Sequence, residues 1–127
     1  NQEKFMGNVK GVIVTEGAFN ALAITQALNY AYGGVHNSPW RAIACSGSGA
    51  TQHHTDALKE LKDQGIRIVL APDSDEAGMK MLNKFSEADA MTHIALTGES
   101  DKDWNDFSKV YDRKQYAAWF LSKIKAL

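Results

Sequence analysis

Four short runs rich in β-branched and other apolar residues, each followed by a longer stretch with helical spacing, leave this chain few folds to adopt. Gly11-Val12-Ile13-Val14-Thr15 precedes a helical stretch from about Ala18 to Tyr30, where Phe19, Leu22, Ala23, Gln26 and Ala27 recur at three and four and Tyr32-Gly33-Gly34 supplies the break. Arg41 to Cys45 precedes Thr51 to Gln64, with Leu58 and Leu61 inward and Gly65 as the stop. Ile66 to Ala71 precedes Glu76 to Ala88, with Met79, Leu82 and Phe85, or Phe85 and Ala88, on one face. Thr92 to Leu96 precedes a polar loop, Thr97 to Asp106, and a last helix from about Arg113 to Ala126. Between the first helix and second strand, Asn37-Ser38-Pro39 makes a turn. This β-α-β-α-β-α-β-α order predicts an α/β fold with a central, mainly parallel four-stranded sheet, flanked by helices and joined by right-handed crossovers.

The strand ends carry the chemistry. The third apolar run stops at Pro72, and Asp73 and Asp75 follow with one residue between them. Residues two apart in an extended segment point to the same side, so both carboxylates would reach one point, and a hard cation such as Mg²⁺ suits oxygen ligands. Glu16 follows the first strand, while Asp101, Asp103 and Asp106 follow the fourth. In a parallel sheet these ends share one edge, and converging carboxylates call for a divalent ion to offset their repulsion. One or two Mg²⁺ with open positions would form a clamp for phosphate oxygens. For the 101–106 loop alone, solvated surface acids remain the simpler alternative. Ser46-Gly47-Ser48-Gly49, between the second strand and its helix, is either a phosphate-cradling loop, with Ser46, Gly47 and Gly49 as its candidates, or a tight turn needing small residues.

Charge decides what the rest of the surface can do. With 14 basic and 15 acidic residues the formal net charge is −1, so the chain has no general attraction to nucleic acid or membrane. Any contact with nucleic acid must come from a local patch, bound ions or neighbouring segments. Its 127 residues fit one domain able to bury a core without disulfides, and the lone Cys45 reads as a buried thiol. No apolar run approaches the roughly 20 residues of a spanning helix, and a cytoplasmic protein with no membrane partner is expected. His36, His53, His54 and His93 do not form a zinc set, because adjacent histidines on a helix diverge; surface positions are expected. Trp119 belongs to a core-facing helix, and Trp104 is the one tryptophan that reads as a candidate nucleotide contact. Lys109, Arg113, Lys114, Lys123 and Lys125 read as a solvated helical face. The chain starts without an initiator methionine and enters a strand almost at once, as a piece of a longer protein would.

Two strings carry a family resemblance. V-I-V-T-E-G-A-F-N-A-L, which delivers Glu16 and Gly17, and V-L-A-P-D-S-D-E-A-G, which delivers the aspartate pair, resemble in order and spacing the signatures of the Toprim domain, the catalytic module of bacterial-type primases, type IA and type II topoisomerases and some nucleases. The resemblance spans nearly the whole chain. It implies a Rossmann-like Toprim fold, Glu16 as general acid/base or metal ligand, and Asp73 and Asp75 as ligands of Mg²⁺ or Mn²⁺. Lys102-Asp103-Trp104-Asn105-Asp106 resembles the motif after the last strand in primases, especially those of phages and plasmids and primase-helicases, and adds Asp103 to the metal set. Lys102 is then a candidate catalytic phosphate contact, with a solvated lysine as the alternative. The resemblance implies a single Toprim domain from a longer primase or primase-helicase, making RNA primers from nucleoside triphosphates on single-stranded DNA beside a replicative or fused helicase. A Toprim nuclease and a non-catalytic interaction module with a vestigial site are the alternatives. Asn20 and Asn105 stand where primases commonly carry aspartate, and with Asp106 they are candidate accessory residues. An asparagine oxygen can ligate Mg²⁺ but brings no charge, so a second ion would bind more weakly or rely on substrate phosphates.

Overall fold

A computed structural model of the chain describes residues 9–45, 52–72, 76–97 and 103–125. All five residues of strand β1 (Gly11–Thr15) are buried, and a strand without a solvent face belongs inside a sheet covered on both sides. It pairs in parallel with β2 (Trp40–Ala44) on one side and with β3 (Arg67–Leu70) on the other. A parallel β4 (His93–Ile94) flanks β3, giving the order β2-β1-β3-β4 and the expected α/β architecture.

Alternation along the strands sorts the core into two halves. Ile13, Val69 and Ala71 face helices α1 (Ala18–Tyr32), α4 (Trp104–Val110) and α5 (Arg113–Lys125). Val12, Val14, Ile68 and Leu70 face α2 (Gln52–Asp63) and α3 (Glu76–Glu87), where Leu58, Leu61, Met81 and Phe85 meet them. Gly65, at φ 91, makes the left-handed turn that ends α2 and enters β3. No helix among the described residues is long and apolar enough to cross a membrane.

Three local expectations need correction. Helix α1 buries Asn20, Ala21, Ala23, Ile24, Ala27 and Leu28, while Phe19 and Leu22 are 74% and 53% exposed and Gln26 is also on the outside. The helix is apolar on every side, so spacing alone selects no face; alanines turn inward because they permit close approach to the sheet. Met79 in α3 is likewise exposed, and Met81 takes the inward place beside Phe85. The fourth strand has two residues rather than five. The Thr92 hydroxyl accepts from the Ile68 N–H at 2.9 Å and donates to its carbonyl at 3.0 Å, standing in for a ladder partner at this edge.

Gly11 is fixed by contact. A Cβ there would overlap Cζ3 of the Trp40 indole, which crosses the strand at this point. Gly11→Ala is therefore expected to destabilise the fold by about 1–3 kcal/mol through overpacking. In a Trp40→Ala background the same substitution should cost much less, a coupling that urea unfolding of the four-member cycle measures.

Candidate functional site

The strand order sets the location. From β1 the chain passes through α1 out to β2, and from β3 through α3 to β4 on the opposite side, so the connections diverge between the carboxyl ends of β1 and β3. Open α/β sheets bind ligands in the crevice at this switch point. Glu16 leaves β1 at that edge and is 8% exposed. The fully buried Thr15 hydroxyl, 3.0 Å from the Gly17 carbonyl and 3.4 Å from that of Ile43, braces the Glu16-Gly17 turn against β2. On the neighbouring strand, Ala71 N–H donates to Val14 O at 2.8 Å and buried Pro72 follows. Asp73 and Asp75 come next in the chain but lie outside the described residues, as do Ser46, Gly47, Gly49, Asp101 and Lys102.

The fourth-strand acids do more than line a loop. Asp103 is the N-cap of α4: its Oδ1 accepts the Asp106 N–H at 2.8 Å, and Asp106 Oδ2 accepts the Asp103 N–H at 2.9 Å. This reciprocal box satisfies two of the donors a helix start leaves open, and the negative charges suit the helix dipole. Asn20, 3% exposed on α1, accepts the backbone N–H of Asn105 at 2.9 Å, a third donor of the same turn. The segment after Glu16 is thereby tied to the segment holding Asp103, across 85 positions of sequence. Position 20 needs an acceptor oxygen for this bond, which asparagine and aspartate both supply. Asn105 uses its own Oδ1 and carbonyl as acceptors for the Ser108 hydroxyl.

Trp104 is not a nucleotide contact. It is fully buried, its Nε1 donates to the Ala71 carbonyl at 3.2 Å, and its ring packs against Trp119 and Phe120. It anchors the acidic turn to the end of β3. The Tyr116 hydroxyl donates to the Trp104 carbonyl at 2.9 Å; burial, and then the nearby Asp103 carboxylate, push the phenol well above its usual range and keep it neutral. The expected polar loop, Thr97 to Asp106, gives way at Trp104 to helix α4, which the spacing Asp103-x-x-Asp106 beside an apolar residue signals as a helix start. Cys45 is buried as expected, and burial pushes its thiol up. His36, His53 and His54 are exposed.

The donor chemistry fits a hard cation: Glu16 and Asp103 offer carboxylate oxygens, and Asp103 Oδ2 makes no hydrogen bond to a described residue. Among the described residues, no three His, Cys, Asp or Glu side chains group closely enough to hold a metal alone.

The fold is similar to solved structures. A small TOPRIM domain protein from Bacillus stearothermophilus superposes with a TM-score of 0.62 at 20% identity, over 90% of this chain and 88% of that one. A chain from a structure of bacteriophage T7 lagging-strand DNA polymerase interacting with primase domains of two gp4 subunits, bound to an RNA/DNA hybrid and dTTP, superposes with a TM-score of 0.59 at 21% identity. That match covers 87% of this chain and 53% of the phage chain. No curated protein sequence matches. The sequence model of the Toprim-like family matches residues 13–108, from within β1 through the acidic turn into α4, and on that match the chain belongs to the Toprim-like family.

Proposed function

We propose that this chain is the metal-binding catalytic Toprim domain of a DNA primase, a single-domain piece of a longer cytoplasmic primase or primase-helicase. The observation that carries the reading is the Asn20–Asn105 hydrogen bond, which draws the Glu16 and Asp103 segments together beside the switch point where Asp73 and Asp75 follow β3. Glu16, Asp73, Asp75 and Asp103 would hold one or two Mg²⁺ or Mn²⁺ ions. Bound there, the metal would supply charge neutralisation for phosphate oxygens and the leaving pyrophosphate. The buried position of Glu16 suits a group that holds or deprotonates a primer 3′-hydroxyl. As the primer oxygen bonds to the α-phosphorus of the incoming nucleotide, the bond to pyrophosphate breaks. Lys102 would contact its phosphates, and single-stranded DNA would serve as template beside a replicative or fused helicase. Asn20 and Asn105 contribute to the shape of the site, through their bond, more than to its charge.

A second reading draws on the small TOPRIM domain protein, matched over 88% of its length. A domain of this size acting without the other modules of a primase would use the same carboxylates to direct water at a phosphodiester, as a nuclease.

Incubating the parent protein with labelled single-stranded DNA separates the two. Primer-length RNA that requires both nucleoside triphosphates and Mg²⁺ is the expected product. Cleavage with Mn²⁺ and no triphosphates would overturn primase in favour of nuclease, and calorimetry without ion binding at millimolar Mg²⁺ or Mn²⁺ would overturn both in favour of a vestigial site.

A further inference from the structure

At the opposite edge of the sheet, below the amino ends of β1 and β3, lies an open basin of about 430 Å³. The five residues of β1 place it ~16 Å from the Glu16 end, so it is separate from the acidic crevice. Its lining includes Lys10, Pro39, Trp40, Gly65 and Arg67 and, among the described residues, contains no acidic side chain. In a chain with a net charge of −1, this is a local concentration of positive charge of the kind that recognises phosphate.

Both cations line the basin, and their backbones adjoin. Arg67 N–H donates to the Lys10 carbonyl at 3.0 Å, and Gly11 is the register partner of Arg67. Both side chains are exposed, and no carboxylate among the described residues pairs with either, although Lys59 and Lys62 both pair with Asp89. Fold stability gives these two charges no evident work. The indole is also placed deliberately. Gly11 lets Trp40 lie across β1, where any side chain would collide with the ring, and the Trp40 backbone N–H donates to the hydroxyl of fully buried Ser38 at 3.0 Å. A partly exposed aromatic beside two cations that pair with no described carboxylate combines a stacking surface with a phosphate clamp.

We propose that this basin binds a nucleotide unit, its base against Trp40 and its phosphate between Lys10 and Arg67. The unit would come either from a free nucleotide or from a strand of nucleic acid passing the back of the domain. No carboxylate of the acidic crevice takes part, so binding requires no divalent ion.

Titrations of the chain in EDTA test this, following tryptophan emission and calorimetric heat, with a nucleoside 5′-monophosphate, a short 5′-phosphorylated single-stranded oligonucleotide and inorganic phosphate. Saturable binding of the first two is expected, weaker binding of phosphate alone, and quenching that Trp40→Phe removes. Lys10→Glu and Arg67→Glu should each weaken binding roughly tenfold, with circular dichroism unchanged. Equal affinity for mononucleotide and oligonucleotide identifies a free nucleotide; tighter, strongly salt-dependent oligonucleotide binding identifies a strand. Absence of saturable binding in EDTA, or binding indifferent to both charge reversals, would overturn the proposal. Asp73→Ala should leave these titrations unaltered, which keeps this site distinguishable from the metal-dependent one.

Discussion

Asp73→Ala and Asp75→Ala should each lower metal-dependent primer synthesis by the parent protein by more than about 100-fold, while the chain should still unfold cooperatively at an unchanged or higher temperature. The activity loss is expected to exceed the 10- to 100-fold typical of residues that merely orient a metal ligand, because these side chains would be the ligands themselves. Stability should move the other way without metal, since removing one of several like charges relieves repulsion. Millimolar Mg²⁺ gives the matching readout: it raises the unfolding midpoint of the unsubstituted chain by mass action and has little effect on either variant. Activity retained in both variants would sink the metal-site reading, whatever the fold does.

The second large effect concerns folding. Trp104→Ala should cost about 3–5 kcal/mol, a large part of the 5–15 kcal/mol by which a domain is ordinarily stable. The residue is fully buried, packs against Trp119 and Phe120, and donates to the Ala71 carbonyl. Trp104→Phe keeps most of the ring packing but loses the Nε1 donor, and should cost about 1–3 kcal/mol. Far-UV dichroism against urea gives both values if the slope of the transition is unchanged. A cost for alanine below that for phenylalanine would refute the anchoring role.

The parts of the fold visible beforehand are those written in local pattern. β1 is Gly11–Thr15 as its β-branched run indicates, and α1 starts at Ala18, just after the Glu16-Gly17 pair. The order β2-β1-β3-β4 is not local information: any strand with two apolar faces can be central, and pairing is decided by what the helices cover. The inward face of α1 was misread because an all-round apolar helix has no preferred side until α5 and the sheet select one. The acidic turn was misread for a related reason. A carboxylate beside a strand end and a carboxylate beginning a helix look alike in sequence, and Asp103 begins a helix whether or not it also binds metal. Asn20 drew notice for the charge it lacks, whereas its visible work is to accept a backbone hydrogen bond from the far end of the family match.

That bond also dates the site within the life of the chain. A ribosome delivers Glu16 and Asn20 early, but the N–H that Asn20 holds arrives only with Asn105, after all four strands have been made. A domain generally folds as a unit, and closing so long a loop adds little entropy once the sheet has brought its ends together. A nascent or truncated chain ending before α4 would carry Glu16 and Asn20 without the turn that Asn20 holds, so the crevice takes its finished form only when that helix has been made.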